Sequence, residues 1–334
     1  MYDSYGQNVR HEILGDKRRA WRRPAIGDTL PLMITRRDFL AASVAAPLAT
    51  GLRAQPAQAG RMVLAMHQNT SRGAGFRGSL EGWARAGIRY VELNDGLLDG
   101  FLEGDTLVGA RALLTDLGLT PVSAAAALQD IWLPGPARAE SLQTWRRRCE
   151  QFKSLGLARI YAPSLTNRAV TPEDFAATPD CIREVGEITR EFDLVAMIEF
   201  TRTSTHLATL ASSLEMIRAA DHPNVRPMLD FFHFWSGLSK FEDLDLLEPG
   251  ELAHAHFQDL LAGPRELINN NSRLIPGDGI APVERILRKL SEKGYAGALS
   301  VELFRPEYVN GDAFAVGSEI RTKCEVVMRR AGVL

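Results

Sequence analysis

The chain has 334 residues, 45% of them hydrophobic and 24% charged, with a formal net charge of -2. That composition supports a large buried core and excludes a disordered chain, and the missing basic excess argues against a nucleic-acid partner. Three cysteines, Cys149, Cys181 and Cys324, show no CxxC or finger spacing, so a disulfide scaffold is excluded and ordinary buried thiols are expected.

Residues 1–32 carry Arg/Lys clusters, Pro and Gly without an amphipathic period. They read as a non-native or disordered leader, with Met33 the expected first residue. Residues 33–59 follow a secretory pattern: Arg36-Arg37-Asp38-Phe39-Leu40, an Ala-rich apolar run, then Ala57-Gln58-Ala59. The paired arginines mark a twin-arginine signal peptide, so a periplasmic location is expected. The apolar run is too short for a membrane span of about 20 residues, and none is expected in the mature form.

From Gly60 to Leu334 apolar runs alternate with amphipathic stretches. Strands are predicted over 61–67, 88–93, 119–124, 158–162, 194–200, 225–230, 252–257 and 298–303. Helices are predicted over 76–86, 107–117, 139–155, 171–191, 206–220, 238–247, 281–293 and 312–330. Eight strand–helix pairs predict an α/β fold, a (β/α)8 TIM barrel, as a single domain over 60–334. A doubly wound sheet would usually carry a glycine-rich phosphate loop after its first strand, but here the sequence is Gln68-Asn69-Thr70-Ser71-Arg72-Gly73. The run Arg146-Arg147-Arg148 reads as a solvated helix face. The polar stretch 263–272 fits either a surface loop or a lid.

Barrel chemistry sits at the C-terminal strand ends. Strands five to eight end in Glu199, Asp230, His256 and Glu302, each set in apolar sequence. Buried carboxylates are costly unless paired, and three together repel unless a cation joins them. These four residues are therefore expected to hold one divalent metal ion, Mn2+ first, with Mg2+, Co2+ or Zn2+ also suited to three oxygens and an imidazole. His254 lies two residues before His256 on the same strand face, one layer deeper. Asp259 is expected to orient a metal-binding group from behind.

The same residues resemble the xylose isomerase-like TIM barrels, the sugar phosphate isomerases/epimerases. Asp230-Phe231-Phe232-His233 matches a D-x-x-H motif, and His256-Phe257-Gln258-Asp259 matches H-x-x-D. Arg273-Leu274-Ile275-Pro276-Gly277-Asp278-Gly279 matches R-x-x-P-G-x-G, and Ser300–Tyr308 is similar to the strand-eight segment of inosose (2-keto-myo-inositol) isomerases. The resemblance implies that Glu199, Asp230, His256 and Glu302 are metal ligands. It further implies substrate contacts for His233, Arg273, Glu92 and His67. AP endonucleases share the fold, but their D-R-H is Ser272-Arg273-Leu274 here, so a trinuclear DNA-cleaving site is not expected.

The expected chemistry is metal-dependent isomerisation or epimerisation of a small sugar or cyclitol through an enediolate, with Glu199 and Glu302 as base and acid. The alternatives are a periplasmic 3-keto-glycoside lyase or hydrolase on the same site, and a non-catalytic sugar-binding protein. The expected partner is the small-molecule substrate, and self-association as a homo-oligomer is open.

Overall fold

A computed structural model describes residues 61–334; the predicted leader and signal segments lie outside the described residues. Ten strands occur in chain order. They are β1 Val63–His67, β2 Tyr90–Asn94, β3 Thr120–Ala125, β4 Arg159–Pro163, β5 Val195–Glu199, β6 Val225–Asp230, β7 His254–His256, β8 Asp259–Leu260, β9 Arg273–Leu274 and β10 Ala298–Val301. Eight of them close a parallel barrel in the order β1-β10-β7-β6-β5-β4-β3-β2, as the alternation predicts. The other two, β8 and β9, pair antiparallel above it.

Helices Gly75–Arg85, Leu107–Asp116, Arg138–Ser154, Pro172–Arg190, Leu210–Ala220, Val283–Glu292 and Ala313–Ala331 fall on the predicted segments. Their apolar faces cover the outside of the barrel in one continuous core. Differences from the predicted elements have local causes. The segment 206–220 turns helical only at Leu210, because Thr209 and Ser212 form a capping box there. The predicted helix 238–247 is a 3-10 turn, Phe241–Leu246, in which only Leu244 is buried, too little apolar anchoring for a full helix. Three short α-helices were not predicted, Asp95–Leu102, Phe231–Ser236 and Pro306–Val309; the first two begin directly at a strand end, capped by Asn94 and by Asp230.

Arg148 departs from a solvated face. It is 4% exposed and donates to Asp99 at 2.6 Å, whereas Arg146 pairs with Glu191 on the surface. Helical spacing aims three consecutive residues in three directions, and one of them points inward. All three cysteines are buried free thiols. Among the described residues no helix is long and apolar enough to cross a membrane.

Alternation along the strands sets which side chains enter the barrel. Ala125, Tyr161, Met197 and Met228 fill an interior layer. Two residues further along β5 and β6 the same face carries Glu199 and Asp230. Register pairs Pro163 with Glu199, Asp230 with His256, and His67 with Glu92, so these polar groups share one end of the barrel.

Candidate functional site

The donor atoms of Glu199, Asp230, His256 and Glu302 all lie within 4.8 Å of one another, and all four residues are buried. His256 Nδ1 is the hub, 3.0 Å from Glu199 Oε1, 3.3 Å from Asp230 Oδ2 and 3.6 Å from Glu302 Oε2. Two of the three carboxylates, those of Asp230 and Glu302, are fixed by further donors. Asp230 is the N-cap of the helix Phe231–Ser236, and its Oδ1 accepts the His233 backbone N–H at 2.6 Å. The D-x-x-H spacing is thus the spacing from an N-cap to the third helical residue. Its other oxygen, Oδ2, accepts from Gln258 at 2.6 Å and from Arg273 at 2.7 Å. Glu302 lies just past β10. The Thr70 hydroxyl donates to Val301 O and accepts from Leu303 N–H, clamping the residue between them. Its carboxylate accepts from Asn69 at 2.9 Å and from Arg273 at 2.9 Å.

His256 Nε2 turns the other way and meets Glu92 Oε2 at 3.1 Å; the same oxygen also contacts His254 Nε2 at 3.0 Å. A carboxylate on the far nitrogen fixes the ring orientation of a metal-binding histidine. Glu92 is fully buried beneath the site and is not on the pocket wall, which corrects the substrate contact expected for it. His67 is likewise buried behind the wall, with its rings held by Asn69 and Tyr161 rather than open to a ligand. Both are fully buried because their side chains pack against neighbours, Glu92 against His254 and His256 and His67 against Tyr161. Asp259 also differs from expectation. It touches none of the four residues and instead accepts backbone N–H groups from Leu260, Gly277, Gly279 and Ala281. A Cβ at Gly279 would stand 2.5 Å from the Asp259 carboxylate, and Gly277 has φ +97°, so this turn requires glycine at both positions. The H-x-x-D and P-G-x-G motifs are therefore one device: Asp259 docks the loop that delivers Arg273. Orientation of Asp230 falls to Gln258 instead.

Arg273 is 2% exposed. Its guanidinium lies 4.5 Å from the Phe232 ring centroid and 5.1 Å from that of Phe304, and Nη2 donates to His233 Nε2 at 3.1 Å. Electrostatics follow from this arrangement. Burial alone would lower the His256 value, but Glu92, Glu199 and Glu302 outweigh it and hold the imidazolium well above the usual range. Burial opposes ionisation of Asp230 and Glu302 too, yet Arg273 keeps both below ordinary carboxylate values. Glu199 lacks the arginine, and burial pushes it up to about 7. Burial brings His233 down to about 4, so it is neutral near pH 7.

Three buried carboxylates and one imidazole converging within a few ångströms fit a divalent cation, whose charge would take the place of the proton that His256 otherwise holds among them. Above them lies a cavity of about 220 Å³. Glu199, Glu302, His233 and Arg273 reach its wall, together with Asn69, Asn94, Tyr161, Thr201, Thr203 and Asn270. These six neutral polar residues were missed from the sequence. Asn69 and Asn94, placed directly after strand ends, carried a usable signal; Tyr161, inside an apolar strand, carried none. Loop 263–272 is largely exposed, and Arg202 ties it down through Ile268 O at 2.9 Å. The aromatic run after Asp230 packs inward, with Phe231, Phe232 and Phe234 at most 1% exposed.

The inosose isomerase of Halalkalibacterium halodurans is 28% identical over 194 residues, 57% of this chain and 69% of that protein. Among solved structures, the IOLI protein with a binding zinc atom superposes with a TM-score of 0.75 at 22% identity, covering 81% of this chain and 99% of that one. D-allulose 3-epimerase from Methylomonas sp. in complex with D-allulose gives a TM-score of 0.65 at 17% identity, over 81% and 98%. At these identities the two structures speak to fold. The family model for xylose isomerase-like TIM barrels matches residues 81–323, and the chain belongs to that family.

Proposed function

We propose that this chain is a divalent-metal-dependent isomerase or epimerase of an unphosphorylated keto-sugar or keto-cyclitol. The observation that carries the reading is the convergence of two buried glutamates, Glu199 and Glu302, from different strands onto one cavity beside Asp230 and His256. Those four residues would hold the ion. When bound, it would supply Lewis-acid polarisation of a substrate carbonyl. The protein's own residues do the rest. One of Glu199 and Glu302 removes the proton next to the carbonyl, and the other returns a proton, a role typically worth about 10²–10⁴-fold. Arg273 and Asn69 fix the Glu302 carboxylate. His233, neutral, faces the substrate oxygens. An uncharged substrate suits the cavity, because its remaining polar wall is neutral and Arg273 is already committed to two carboxylates.

The inosose isomerase relative and the zinc atom in the IOLI structure support this reading. Mn2+ is the ion we favour for the three-oxygen set. Export through a twin-arginine signal fits the same picture, since a folded, metal-loaded enzyme would reach the periplasm. The test is metal analysis of the purified protein with a screen of keto-inositols, free keto-sugars and 3-keto-glycosides, followed by NMR in D2O. Proton exchange at the α-carbon without bond cleavage is expected, and Glu302→Gln should abolish it. Aglycone release would instead establish a lyase or hydrolase. Ligand binding without turnover would establish a binding protein.

A further inference from the structure

Tyr161 occupies the floor of the cavity. It pairs in register with Met197, two residues below Glu199 on the inward face, and its ring centroid lies 5.1 Å from that of His256. Its hydroxyl lies 3.0 Å from His67 Nε2, with no other partner among the described residues. Which of the two donates depends on the tautomer of His67. His67 Nδ1 accepts the Asn69 backbone N–H at 3.0 Å, so that nitrogen carries a lone pair. The competing arrangement would place a proton on Nδ1 facing Glu302 Oε1. That separation is 3.6 Å, beyond hydrogen-bond length, and the Asn69 side chain already donates to the same oxygen at 2.9 Å. The His67 proton is therefore on Nε2 and is given to the Tyr161 oxygen. A phenol that accepts from its only protein neighbour keeps its own proton for something else.

We propose that Tyr161 is a substrate-binding hydrogen-bond donor on the pocket floor, its proton turned toward a hydroxyl or carbonyl oxygen of a bound polyol by the Nε2–H tautomer of His67. The substrate class rests on the function proposed above; the donor direction does not. His67 is then a positioning residue, acting through Tyr161 without touching the ligand. Its expected substrate contact is replaced by this indirect one.

Two measurements test the proposal. In ¹⁵N-histidine NMR of the whole protein, His67 should be the Nε2–H tautomer; an Nδ1–H signature overturns the proposal. Tyr161→Phe should keep the metal content and the fold of the native protein, with the melting temperature lowered by the His67 N–H left without its acceptor. Its kcat/KM for a keto-cyclitol or D-allulose should fall about tenfold, the effect of one lost hydrogen bond to a neutral oxygen. An unchanged kcat/KM in an active enzyme overturns it. If the native protein neither binds nor converts any of these compounds, the functional reading fails, and the His67 tautomer alone then decides the direction of the Tyr161 proton.

Discussion

Glu199→Gln in the metal-stripped protein offers the sharpest check on the electrostatics. Glu199 is 4% exposed, lacks the arginine that serves Asp230 and Glu302, and is raised by burial from an ordinary 4.5 to about 7. At about 1.4 kcal/mol per pH unit, the difference is worth about 3 kcal/mol. Because the folded carboxyl titrates above the unfolded one, its contribution is whole below pH 4.5 and is lost as pH rises through 7. Metal-free wild type should therefore weaken between pH 5 and pH 8 relative to Glu199→Gln, which has nothing to ionise and keeps an acceptor for His256. The variant should be more stable by up to about 3 kcal/mol at the higher pH, a melting difference on the order of 5–10 °C, and nearly equal to wild type at the lower. Urea or thermal unfolding after chelation measures this. Adding Mn2+ or Zn2+ should restore the wild type far more than the variant. If the two metal-free proteins track each other at both pH values, burial does not disfavour the Glu199 carboxylate, and the argument that a cation is needed to keep it ionised there fails.

Glu92→Gln should weaken metal affinity about 10–100-fold by loosening His256 from behind, with the fold retained; titration calorimetry of chelated protein decides it. Asp259→Ala leaves four backbone N–H groups without their acceptor and should cost about 3–5 kcal/mol in urea unfolding, with loss of substrate turnover as Arg273 drifts. His206, buried against Thr178 at 2.8 Å, is pushed down to about 4 by burial. Its lowered value means that its contribution is whole above pH 6.5 and fades as pH falls toward 4. About 2–3 kcal/mol should be lost over that interval, and the slope should shrink in His206→Gln.

The barrel itself was legible in the chain. Apolar runs alternate with amphipathic helices at intervals that only parallel strands with crossovers satisfy, and the four strand-end residues Glu199, Asp230, His256 and Glu302 stand out because each is ionisable within apolar sequence. Alternation along a strand also separated His256 from His254 by one layer. The rest depended on register and on loop docking, which no single segment encodes. Glu92 and His67 end their strands as conspicuously as the four do, yet the folded chain buries them against His254, His256 and Tyr161, where they orient neighbours. Asp259 is a motif residue, but its partners come from 277–281, across a loop whose path only the folded chain defines. Tyr161 looks like one more apolar strand residue until His67 and Asn69, from a different strand and the turn after it, set the direction of its proton. Sequence determines which groups are costly to bury. Tertiary structure decides which neighbours relieve that cost, and so which groups face the substrate and which only hold them in place.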